Sequence, residues 1–130
     1  MIVQRSIDVE DEVRKALSPY FKIYVRPLPA ELQVPSLLVA LVGGTEADSI
    51  DGTDIVLDAR ANSSAEALDL LLDAIATLKV VAHNQATLLS YVVLNTTASW
   101  GNDPVRPDLS LCTARLRVYT HKINKNINPI

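Results

Sequence analysis

Apolar residues recur along this chain at two periods, and the switches between them mark its elements. From Asp8 to Ser18 the spacing of Val9, Val13, Ala16 and Leu17, continued by Tyr20, is helical. Asp8 stands where an N-cap accepts the free amides of a first turn. Glu10, Asp11 and Glu12 suit the positive end of that helix, Arg14 and Lys15 its negative end, and Pro19 closes it. A half-buried strand is expected at KIYVRPL, where Ile23 and Val25 alternate with Lys22, Tyr24 and Arg26 until Pro27 and Pro29 cut it. SLLVALVGG, from Ser36 to Gly44, is apolar on both faces and predicts a central strand. The polar TEADSIDGT holds Asp51-Gly52, a turn signal, so a protruding hairpin loop is expected there. DIVLDARA predicts a third strand, with Ile55, Leu57 and Ala59 on one face and Val56, Asp58 and Arg60 on the other.

The clearest local signal follows. Ser63 and Glu66 fit an S-x-x-E capping box. Leu68, Leu71, Leu72, Ile75, Leu78 and Ala82 then predict one buried helical stripe, which Leu70, Ala74 and Ala76 widen. So broad a band predicts that the helix packs on a sheet and touches something further, the first helix or another subunit. ATLLSYVVLN predicts a fourth strand, and TTASWGNDPVRPD a long loop. In the fifth strand, LSLCTARLRVYTHKI, Cys112, Ala114, Leu116 and Val118 face one way, and Thr113, Arg115, Arg117, Tyr119 and His121 the other. The order α-β-β-β-α-β-β, mostly joined by hairpins, predicts an α+β two-layer sandwich. Its sheet is antiparallel or mixed, of about four to five strands, with two helices on one face. A length of 130 residues fits one domain, expected over residues 1–121, with 122–130 as a flexible tail.

Charge changes the picture in its distribution. The net value of −3 gives no global basic field for nucleic acid. From Glu46 to Asp73, however, eight acids face one base, and from Pro104 to Ile130 five bases face one acid. Two readings stay open: solvated faces that cancel, or complementary patches that meet across a subunit boundary. The second makes Asp58, Arg60, Asp69, Asp73, Arg115 and Arg117 candidate interface residues. Glu46, Asp48, Asp51, Trp100 and Arg106, in polar segments, are candidates for docking a partner. For Trp100 the competing role is a cover over the domain's own core.

Residues able to carry chemistry find no partners in the sequence. Ser63 and Ser64 lie at a strand-to-helix turn without the glycines of a nucleophile elbow. His121 lies nine residues beyond Cys112 in the same strand and cannot reach it, so the single cysteine reads as a buried thiol. His83 and His121 lack ligand spacing, and DSIDGTD lacks the closing glutamate of a calcium loop. No catalytic residue, metal or cofactor is expected, and an enzyme is the reading least favoured. No apolar run reaches the length of a membrane span, MIVQRSIDVEDEVRK has no signal core, and the lone thiol suits a reducing place of synthesis.

Taken in order, the N-terminal helix, DIVLDARANSSAEALDLLLDAIATL, LLSYVVLNTT and CTARLRVYTHKI resemble the tail-terminator or tail-completion proteins of the bacteriophage head–tail junction. The resemblance spans nearly the whole chain and lies in order and texture. It implies a homo-hexameric ring that caps the tail tube and joins it to the head. The implied partners are the tail tube protein and a head-neck connector protein, with DNA only passing through the lumen and no membrane. The implied place is the virion, after synthesis in the host bacterial cytoplasm. The segments Gly44 to Thr53 and Asn95 to Asp108 are then expected to contact tube or neck. Two other structural readings stay open: a different neck subunit of the same virion, or a non-phage protein-interaction module.

Overall fold

A computed structural model describes residues 1–45, 50–84, 87–103 and 106–130, with 94–97 and 102 described by their backbone alone. The described residues form an α+β fold. In chain order its elements are β1 (Ile2–Arg5), α1 (Val9–Leu17), β2 (Ile23–Tyr24), β3 (Ser36–Thr45), β4 (Ile50–Ala61), α2 (Ser64–Val81), β5 (Leu89–Asn102), β6 (Ser110–His121) and β7 (Ile123–Asn126). A five-stranded sheet runs β2-β3-β4-β6-β5, parallel between β2 and β3 and antiparallel elsewhere. Strands β1 and β7 pair separately as a two-stranded antiparallel ribbon.

Both helices share one core with one face of the sheet. Val13 and Leu17 of α1 and Leu71, Ala74 and Leu78 of α2 are buried with Leu37, Val39, Ile55, Leu57, Ala59, Cys112, Ala114, Leu116 and Val118. The period-two alternation of β4 and β6 is therefore obeyed, and burial pushes the Cys112 thiol up from its ordinary value. Both N-caps form, the capping box through its serine. Asp8 accepts from the Asp11 amide at 3.1 Å, and Ser63 from the Glu66 amide at 3.2 Å. Helix α2 is rotated relative to the predicted stripe. It buries Ala67, Leu71, Ala74, Ile75 and Leu78 and leaves Leu72 50% exposed. A helix apolar nearly all round has no single dictated face. Here small Ala67 and Ala74 meet a sheet face that is itself rich in alanine, and the bulkier Leu72 stays outside.

Several expected boundaries move. Strand β3 is not central along its length. Beyond Leu38 no strand among the described residues lies beside it on the β2 side, and its second half, Leu41–Thr45, is exposed. That edge is blunted by a side chain: the Leu41 amide donates to Glu10 Oε2 of α1 at 3.0 Å. Asp51 and Gly52 belong to β4, not to a turn, and pair with Thr120 and Tyr119 of β6. Gly44 has φ +146 and lies so close to Gly52 and Thr53 of β4 that no side chain fits there. Strand β5 continues through Ser99, Trp100 and Gly101, which sequence places in a loop, with register shifts that bend it as an edge strand. The segment 122–130, expected as a loose tail, supplies β7.

These placements carry a stability test. Leu71→Ala should cost about 2–5 kcal/mol, Ser63→Ala about 1 kcal/mol, and Leu72→Ala no more than about 0.5 kcal/mol. Chemical denaturation of the three variants checks the order. A loss at Leu72 that matches the loss at Leu71 would contradict the observed helix rotation.

Candidate interaction surface

Along β4 and β6 the face of the sheet turned away from the helices is largely polar because both strands alternate, and their register sets charges opposite one another. Asp54 lies directly across from Arg117 and accepts two hydrogen bonds from its guanidinium, at 2.9 and 3.1 Å. That contact raises the Arg117 guanidinium further above its ordinary value. Asp58 lies across from Thr113, whose hydroxyl donates to it at 2.7 Å. Arg115 is exposed between them. Tyr91 and Tyr119 stand opposite each other at 6.3 Å between ring centroids. Gly52 leaves room beside them, since a β-carbon there would crowd the Tyr119 ring and the Arg117 stem. The result is a stiff face of alternating charge edged by aromatic rings.

One end of this face is closed over. Arg60 is 7% exposed and donates to Asp103 Oδ2 at 2.7 Å, with Asp58 4.0 Å away. Asp103 and Arg106 line a recess of about 260 Å³ together with Leu28, Pro29, Ala30 and Leu32, so the connection after β2 lies beside the buried pair. A second buried pair sits on the helix side at the opposite end of β4. There Asp51 and Lys122 approach to 3.1 Å, each side chain 6% exposed, and Lys122 Nζ also donates to Ser6 Oγ at 3.4 Å.

The candidate residues therefore separate. Asp58, Arg115 and Arg117 come together on the outer face, with Asp54 as the partner that sequence did not single out. Arg60, expected at a subunit boundary, is instead buried against Asp103, because a strand position beneath a covering loop cannot reach solvent. The complementarity expected between subunits is in part satisfied within one: acidic β4 and basic β6 are adjacent strands. Asp69 and Asp73 lie on the opposite layer, exposed on α2. Asp51 is corrected from a docking loop to a buried strand position. Trp100 is corrected from a loop to β5, where it pairs with Cys112 and remains 53% exposed. Arg106 does lie in a loop and forms two hydrogen bonds to Asp108, at 3.1 and 3.0 Å. Each member of that pair holds the other in its charged form. Glu46 and Asp48 lie outside the described residues.

A groove of about 510 Å³ runs between the β1–α1 connection and the ends of β3 and β4, lined by Ser6, Asp8, Leu41, Gly44, Asp51 and Thr53 among others. Among the described residues no three His, Cys, Asp or Glu side chains are grouped to hold a metal ion. No helix among them is long and apolar enough to cross a membrane. Compared with models of known protein families and with curated proteins, the sequence matches none.

Removing one member of a buried pair strands the other. Asp103→Ala should destabilise the fold by about 3–5 kcal/mol, whereas Arg60→Met with Asp103→Leu should recover most of that loss. Urea denaturation of the single and double variants measures both. A double variant no more stable than the single would mean that the pair is not the source of the loss.

Proposed function

We propose that this chain is a ring-forming structural subunit of a tailed bacteriophage, of the tail-terminator kind. The observation that carries the reading is a pair of unlike surfaces outside the core. One is the outer face of the sheet, with Asp54, Asp58 and Arg117 held by hydrogen bonds and Arg115 exposed among them. The other is the β1–β7 ribbon, with Ile2, Gln4, Arg5, Asn124, Lys125 and Asn126 all exposed. A head-to-tail ring needs two different patches on each subunit, so that one fits the other on its neighbour. A two-stranded ribbon is marginal alone in water and gains from lying on a larger surface. The exposed Trp100 suits contact with a further partner, since tryptophan is enriched at binding hot spots. In this reading the ring caps the tail tube and offers its far side to the neck, and DNA passes through its lumen without being read.

The test is particle morphology. Virions assembled without this chain should carry overlong tails under negative-stain electron microscopy. Tails of normal length left unattached to heads would instead assign it to the neck, and normal infectious particles would overturn a virion role. In the purified protein, Arg115→Glu should reduce the fraction of rings seen by light scattering without lowering the melting temperature.

A further inference from the structure

The outward face of α2 is unusual for a helix in an outer layer. Leu72 is 50% exposed and Val80 73% exposed, with exposed Ala76 midway between them. At spacings of four residues these three form one stripe on successive turns. Tyr20, 64% exposed, lines a shallow recess with Ala76, Thr77, Val80 and Val81 and extends the apolar patch past the end of α1. Asp73 and Lys79 flank the stripe, both exposed, and neither forms an ion pair among the described residues.

These residues are arranged symmetrically about Ala76. Leu72 and Val80 lie four residues before and after it, and Asp73 and Lys79 three before and after. Laid antiparallel on a copy of itself, with Ala76 at the crossing, the helix sets each Leu72 against the second copy's Val80. Each Asp73 then meets the second copy's Lys79, and this happens twice. The same relation carries Asp69 to the second copy's His83, just beyond the helix end. The small residue falls where two axes must come closest, and interaxial distances of about 8–10 Å require a small side chain there. Such self-complementarity is what an isologous, twofold contact demands. It is not what a head-to-tail partner or a membrane surface would select, because neither needs the charge order to reverse about a centre.

We infer that α2 pairs with α2 of a second copy of this chain about a twofold axis at Ala76. The inference does not rest on the ring reading. It uses the helix layer rather than the outer sheet face, and a twofold contact closes at two copies instead of propagating. One helix per subunit buries less than the roughly 800 Å² per partner typical of stable complexes, so the dimer is weak and concentration-dependent.

Sedimentation equilibrium from micromolar to millimolar protein tests it. In an Arg115→Glu background, which weakens the ring contact, the chain should show a monomer–dimer equilibrium. Asp73→Lys and Lys79→Asp should each weaken it about tenfold, because each turns two attractive pairs into two repulsive ones. The double exchange should restore it. Ala76→Glu should leave only monomer, with an unchanged melting curve as control. Ala76→Cys should form an intermolecular disulfide on mild oxidation, and Ala65→Cys should not. A chain with no dimer at any concentration, a dimer indifferent to both reversals, or a double exchange that fails to recover pairing would each overturn the inference. Rings that survive all of these α2 substitutions with Arg115 in place would leave the proposed function standing.

Discussion

Strand β4 carries a charge into the interior at each end, and much of the molecule is arranged around meeting that constraint. A buried ion with no partner is prohibitively costly, so Asp51 and Arg60 must each be reached by an opposite charge from elsewhere in the chain. Lys122 comes from the turn between β6 and β7, and Asp103 from the connection beyond β5. Each pairing brings a peripheral segment with it. The Lys122 contact draws in Ser6 and therefore the start of α1. The Asp103 contact brings its loop beside the segment from Leu28 to Leu32. The apolar face of β4 gives the fold its core, while its terminal charges fix where the surrounding loops lie.

The two layers present different surfaces for the same reason. Charges on the sheet's outer face are neutralised locally by register, as at Asp54 and Arg117, so that face is rigid and patterned. Charges on α2 are left to solvent on either side of an apolar stripe. Sheet edges are kept from pairing indiscriminately by Glu10 at β3 and by register shifts along β5. The regular, accessible surfaces that remain are the two faces of the molecule rather than its strand edges.

Much of this was legible in the sequence. Both helices, their caps and the inward faces of β4 and β6 follow from spacing and capping chemistry alone. Two misses were avoidable in principle. Extending the buried alternation of β4 back to Asp51, and that of β6 forward to Lys122, places opposite charges on the same inward face; the turn signal of Asp51-Gly52 hid the first. Asp103 left no comparable trace. Its partner Arg60 is distant in the chain, and nothing local marks a loop carboxylate as destined for the interior. The face chosen by α2 was also undetermined, because an apolar band that wide lets tertiary packing decide. The ribbon was missed because β1 and β7 are short, polar and stabilised only by each other, a pairing that no local pattern encodes.

That ribbon has a consequence for how the chain reaches its final form. Ile2, near the beginning, pairs with Asn126, near the end, and β4 must find β6 across the whole of α2 and β5. Contacts so distant in sequence close large loops and slow the search for the native state. Strand β1 therefore cannot pair until β7 has been synthesised. The helices and the five-stranded sheet, whose strands all precede β7, can form ahead of that closure, so the ribbon is the last pairing of the fold to become possible.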